Sequence, residues 1–236
     1  MNKILAIDTS SEACSAALII NKEVKTLFEI VPQGHSELIL TMCSKLLSEA
    51  ELNLSDLDGL AFSRGPGSFT GLRIGAGVVQ GIAFAKDLPV LNVSSLQALA
   101  HRVSKAKSNT YILPIIDARM GEIYTHEYYS DASNKLTALG EEQLIRPEHF
   151  STSTLNKYIA IGSGLEILKN CTNNDLPNVL FEEKYSNLLV SAEDIALLAA
   201  NNTEENKWVN AENVQPIYLR NDVVHRPKNI KAAETK

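Results

Sequence analysis

The chain has 236 residues, 44% of them apolar, enough for a sizeable core and a length that suits two lobes of about 100 residues each. Its formal net charge of −6 argues against a free-standing nucleic-acid binder, because neutralisation of phosphates by Lys and Arg supplies most such affinity. No apolar run approaches the ~18 residues of a membrane span, the N-terminal run stops at Asp8, and Cys14, Cys43 and Cys171 show no paired spacing, so a cytoplasmic protein with reduced thiols is expected.

In chain order, ILAIDTSSEACSAALII predicts a strand ending at Asp8, a polar turn and a second strand, and KEVKTLFEIV predicts a third. HSELILTMCSKLLSEA carries Leu38, Ile39, Met42, Leu46 and Leu47 at helical spacing. GLAFSR is a short strand, the glycine segment after it runs into a helix to about Lys86, LPVLNV is a strand, and Ser94 caps a helix through LQALAHRV. The polar run Ser104 to Thr110 then breaks the pattern, and the same order restarts. YILPIIDARMGEIYTHEYY gives strand, Asp117, turn and strand; LTALGEEQLIR gives a third strand; Pro147 opens a weak helix. YIAIG is a strand, GSGLEILKN a short helix, NVLF a strand, and Ser191 with Asp194 caps the helix AEDIALLAA.

The chain therefore reads as one unit written twice, with Asp8 and Asp117 each ending the first strand of a copy. Residues 1–105 are expected to form the first lobe, 110–220 a shorter second lobe, and 221–236 a tail. From Arg220 to Lys236 five basic residues stand against Asp222 and Glu234, a balance of +3, which reads either as a solvated tail or as one that touches RNA. The fold class is α/β, with two mixed sheets flanked by helices. A duplicated unit of this order resembles the actin, Hsp70 and sugar-kinase architecture of two ribonuclease-H-like lobes, and that resemblance raises the prospect of ATP in the interlobe cleft without deciding function.

The segment RGPGSFTGLRIGAG, Arg64 to Gly77, holds five of the twelve glycines. It is not a Walker loop, since no lysine lies between Arg64 and Gly81, and it lacks the acidic residue that a dinucleotide fingerprint places at the end of the next strand. Gly71 and Gly75, and then Gly77 and Gly81, are four apart, which puts small residues in rows along the helix. Interior glycines cost about 1 kcal/mol each relative to alanine, so close backbone approach must offset them. Two readings stay open: this helix and the one from His35 pack only on each other and on their sheet, or they expose a two-helix face to another subunit. The second reading assigns Leu38, Ile39, Met42, Leu46, Gly71, Gly75, Gly77, Val78, Gly81 and Ile82 to that interface.

Four stretches, MNKILAIDTSSEACSAAL, SRGPGSFTGLRIGAGVVQGIAFA, PIIDARMGEIY and QPIYLRNDV, together resemble the bacterial TsaB (YeaZ) family, over nearly the whole chain from Ile4 to about Val223. The resemblance implies a non-catalytic, cytoplasmic partner of a TsaD-like paralogue that docks through first-lobe helices, a face that also serves for homodimers. It further implies a TsaE-like ATPase and, through the complex, tRNA, for transfer of a threonylcarbamoyl group from threonylcarbamoyl-AMP to the adenosine beside the anticodon. No two histidines are four apart, the spacing with which TsaD-type proteins hold a metal on a helix, so no metal and no catalytic residue are expected. Asp8, Ser10, Asp117, Gly162 and Gly164 remain as weak nucleotide or anion contacts, with ATP or ADP held only weakly or at the partner interface. The rival reading is an independent ATPase or kinase with its nucleotide in the interlobe cleft.

Overall fold

The computed structural model describes residues 3–153, 155–171, 176–202 and 204–220; the basic tail from position 221 lies outside the described residues. The first copy runs β1 (Lys3–Asp8), β2 (Ala13–Ile20), β3 (Glu23–Ile30), α1 (His35–Glu49), β4 (Gly59–Gly65), α2 (Phe69–Lys86), β5 (Val90–Ser94) and α3 (Ser95–Ser104). The second runs β6 (Thr110–Arg119), β7 (Glu122–Ser130), β8 (Leu136–Ile145), β9 (Tyr158–Gly162), α4 (Leu165–Cys171), β10 (Val179–Ser186) and α5 (Ala192–Ala200), and a two-residue β11 (Trp208–Val209) follows.

The duplication is visible in the sheets. The first has the order β11-β5-β4-β1-β2-β3 and the second β10-β9-β6-β7-β8, so each copy places its first strand in the middle, between an antiparallel hairpin and a parallel pair. Central strands are covered on both faces and read as continuous apolar runs: Ile4 to Ile7 and Ile112, Leu113 and Ile115 are fully buried. The tandem α/β architecture expected from the sequence is thus the observed one.

Two local expectations fail. After Pro147 the chain makes one 3₁₀ turn, Pro147–His149, in place of a helix. The Ser151-Thr152-Ser153 run that follows has hydroxyls that compete for backbone groups and no helical apolar spacing. The second difference is in packing. Each copy's last helix lies on the other copy's sheet: Leu96, Ala100 and Val103 of α3 pack with Ile112, Tyr124 and Tyr128, while Ala192, Ile195, Ala196 and Ala199 of α5 pack with Ile4, Ala6, Ala17 and Ile19. The Ala192 N–H donates to the Ser15 hydroxyl at 2.9 Å, and β11 pairs with β5. The helix α5 and the strand β11, allotted by chain order to the second lobe, therefore belong by packing to the first sheet.

Asp194 joins the exchanged helices, accepting from Arg102 at 2.6 and 2.9 Å and from His101 at 3.1 Å, with Lys105 at 3.0 Å. Burial alone would raise its pKa, but the His101 hydrogen bond and the Arg102 and Lys105 charges outweigh that and hold it near about 2.

Candidate functional site

β4 ends at Gly65 with φ +110°, a cis Gly65–Pro66 bond follows, and the Ser68 hydroxyl caps α2 by accepting from the Gly71 N–H at 3.3 Å. From there the glycines divide into two sets with different tasks. Gly67, Gly71 and Gly75 lie against the turn between β1 and β2. A Cβ at Gly67 would collide with the Ser10 carbonyl, one at Gly71 with the Thr9 carbonyl, and one at Gly75 would stand 2.7 Å from the Thr9 hydroxyl. The contact is cross-linked, since the Ser68 N–H donates to the Ser10 carbonyl at 2.7 Å and the Thr9 hydroxyl donates to the Gly71 carbonyl at 2.7 Å.

Gly77 and Gly81 are the opposite case. At 3.6 residues per turn, position 77 lies about 160° round the helix from position 75. Both are exposed, with no atom of the described residues within 4 Å of an added Cβ. Gly77, Gln80, Gly81 and Phe84 of α2 face Ala211 and Glu212 across an open cleft of about 330 Å³. The Gln80 side-chain amide donates to the Ala211 carbonyl at 3.1 Å and fixes that wall. Phe84 stands at the rim with 78% of its surface exposed.

The ten residues read from the sequence as one interface are therefore not one surface. Ile39, Met42 and Leu46 are buried in the core with Leu5, Ile7, Phe62 and Val79, because α1 uses its apolar stripe on its own sheet. Gly71 and Gly75 face the hairpin turn. Gly77 and Gly81 are exposed, and Leu38 of α1 with Val78 and Ile82 of α2 are half-buried, packed against the same core cluster. Phe84, which sequence reasoning passed over, was marked by its spacing of seven from Gly77 and three from Gly81.

Of the weak anion candidates, Asp117 and Gly164 are engaged by neighbouring groups of the chain itself. Asp8 is fully buried; one of its oxygens accepts from the Ser10 N–H at 3.2 Å, while its other oxygen and the Ser10 hydroxyl have no partner among the described residues. Burial pushes the Asp8 carboxyl up to about 6, only partly offset by the polar groups of Ser10 and Ser63 nearby. Asp117 accepts from the Arg119 N–H at 2.7 Å and pairs with its guanidinium at 2.9 Å, so these residues shape the β6–β7 turn. Gly164 already donates its N–H to the Ile115 carbonyl at 3.0 Å, and a Cβ at Gly162 would collide with that carbonyl. The two copies thus use glycine alike, to seat a helix start against the end of the central strand. Among the described residues no three His, Cys, Asp or Glu side chains converge on a site for a metal ion.

The Asp8 shift has a measurable consequence. Its folded pKa lies above the unfolded value, so the residue destabilises the fold once pH exceeds about 4 and does so fully above about 6. Asp8→Asn is expected to raise stability at pH 8 by roughly 3 kcal/mol, at 1.4 kcal/mol per unit, and to gain nothing at pH 3.5. Urea unfolding at the two pH values measures this, and equal effects at both would show that burial does not perturb Asp8.

Residues 26–224 match the family described as TsaD: tRNA N6-adenosine threonylcarbamoyltransferase. The tRNA threonylcarbamoyladenosine biosynthesis protein TsaB of Escherichia coli K12 is 38% identical over 224 residues, 94% of this chain and 96% of that one. Its Haemophilus influenzae counterpart is 35% identical, covering 93% of this chain and 94% of that one. The structure of YeaZ from Pseudomonas aeruginosa superposes with a TM-score of 0.81 at 36% identity, covering 93% of this chain and 100% of that one.

Proposed function

The chain belongs to the TsaB (YeaZ) family of tRNA threonylcarbamoyladenosine biosynthesis proteins, within the broader TsaD-like group, and on that premise we propose that it acts as the non-catalytic docking subunit of the modifying complex. The observation that carries this reading is the exposed Gly77–Gly81–Phe84 groove on α2, beside half-buried Leu38, Val78 and Ile82. Interior glycines whose Cβ positions face open space contribute nothing to the isolated chain and cost helix stability. They do allow a second polypeptide to approach closely, and an exposed phenylalanine beside them supplies an anchor for it.

The partner in this proposal is a TsaD-like paralogue, whose active site the docked first lobe orders; a TsaE-like ATPase joins the pair, and tRNA is reached through the assembly in the cytoplasm. Catalysis is assigned to the partner. Support for that assignment is the burial of Asp8 and Ser10 beside α2, with the His35 imidazole at the same turn donating to the Ser11 carbonyl at 3.0 Å and not engaged with the Ser10 hydroxyl. No helix among the described residues is long and apolar enough to cross a membrane.

The unpartnered oxygens of Asp8 and Ser10 favour the rival reading, an ATPase or kinase acting alone. Reconstitution separates the two. With the organism's own TsaD-like and TsaE-like proteins, threonylcarbamoyl-AMP and tRNA, omission of this chain is expected to abolish modified adenosine, and Asp8→Ala is expected to restore it as well as wild type does. ATP turnover by the isolated chain that disappears in Asp8→Ala would overturn the assignment.

A further inference from the structure

After the Ala211–Asn213 turn, the segment Val214–Arg220 crosses from one lobe to the other, and its last four residues engage both. The Ile217 N–H donates to the Arg64 carbonyl at 2.7 Å. Its own carbonyl lies 2.8 Å from where a Cβ at Gly65 would stand, so the strap can lie here only against glycine. Tyr218 sets its ring 5.1 Å from that of Phe69 on α2 and accepts from Arg73 Nε at 3.0 Å. Leu219 turns to the other side and packs with the cluster of Ile112, Tyr124 and Tyr128 on the second sheet. Arg220 closes the span, donating to the Ala118 carbonyl at 3.1 Å and pairing with Glu122 at 2.7 Å.

A second link joins the lobes at the same first-lobe residue. Arg64 Nη2 meets Glu142 Oε1 at 3.0 Å, and the Ser94 hydroxyl donates to the same oxygen. Glu142 reaches across because β8 bulges: Thr125 pairs with Gln143 but Glu127 with Leu139, so Gly140, Glu141 and Glu142 stand opposite His126 alone, with Gly140 at φ +87°. The Arg64 and Glu142 side chains are only 21% and 10% exposed, a site where solvent screens the pair weakly. Arg64 therefore holds the strap by its carbonyl and the second lobe by its guanidinium.

We propose that these two links, Arg64–Glu142–Ser94 and the Ile217–Arg220 strap, lock the lobes at one separation, so that the interlobe cleft does not open and close and the chain works as a rigid body. The lock is independent of which partner docks on α2. It adds to the crossing of α3 and α5 and their Asp194 ion pairs, so that the second lobe moves only when the Arg64–Glu142 and Arg220–Glu122 pairs break as well.

Distance measurement on the full chain tests this. Cys171 is exposed on α4, and a second thiol introduced by Glu23→Cys lies exposed at the start of β3, one on each lobe. Cys14 and Cys43 are buried, with thiols pushed up to about 11 and about 12 chiefly by desolvation, and stay unlabelled. Pulsed electron paramagnetic resonance between spin labels at positions 23 and 171 is expected to give one narrow distance distribution, unchanged by saturating ATP with magnesium. The Glu142→Gln/Arg220→Ala double variant is expected to double its width at least. Should that variant not fold, Glu122→Gln/Glu142→Gln, two size-preserving changes that remove one charge from each ion pair, is expected to broaden the distribution as well. A wild-type distribution that is already multiple or that shifts with ATP, or a folded variant as narrow as wild type, would overturn the proposal.

Discussion

Replacing Gly71 by alanine should destabilise the fold by about 3 kcal/mol or more, although alanine is the better helix former. The added methyl would meet the Thr9 carbonyl, a backbone atom in a turn that is itself held by the Ser68–Ser10 and Thr9–Gly71 hydrogen bonds. Neither side can move without breaking these bonds, so the strain falls on the whole first lobe. Gly77→Ala on the same helix faces open space and should stabilise by up to about 1 kcal/mol through propensity alone. Urea denaturation of the two variants measures the contrast, and a Gly71→Ala protein within 0.5 kcal/mol of wild type would show that the turn is not seated as described.

Gly77→Leu and Gly81→Leu should leave the monomer as stable as wild type and weaken docking about 100-fold or more, equivalent to about 2.7 kcal/mol. The cleft they fill is bounded by Gln80, Phe84, Ala211 and Glu212, and an isobutyl group there occupies the space that a partner's side chain needs. Titration calorimetry against the TsaD-like protein gives the affinity, and thermal melting confirms the fold. Phe84→Ala should weaken the same interaction through loss of its exposed ring, since aromatic anchors carry a large share of interface energy. Together with Gly71→Ala, these variants separate the structural glycines from the proposed docking glycines on one helix.

The duplicated order of elements was legible in the sequence because each copy begins with an apolar strand that carries an aspartate at or near its end, Asp8 closing β1 and Asp117 two residues before the end of β6, followed by a turn and a second strand. Ser94 and Ser191 were legible as helix caps for a similarly local reason, and both side chains accept from the first turn as expected, whereas Asp194, read as capping with Ser191, turns its carboxylate to His101, Arg102 and Lys105 of α3. The glycine rows were half legible. Spacing shows that Gly71 and Gly75 share one line and Gly77 and Gly81 another, but which line faces the β1–β2 turn is set by tertiary packing. Ile39, Met42 and Leu46 looked available for a partner because a broad apolar stripe does not say how much of it the helix's own sheet covers. The crossing of α3 and α5 to each other's sheets, and the pairing of Arg64 with Glu142, join residues far apart in the chain and leave no periodic trace.

Hydrogen exchange of the chain alone and in its complex with the TsaD-like protein most directly tests whether α1 and α2 form the docking face. The account predicts slowed exchange in α2 from Arg73 to Lys86 and in α1 around Leu38, with the β6–β8 strands of the second sheet unchanged. Slowed exchange confined to the second sheet, with the backbone around Gly77 and Gly81 as open as in the free chain, would contradict it.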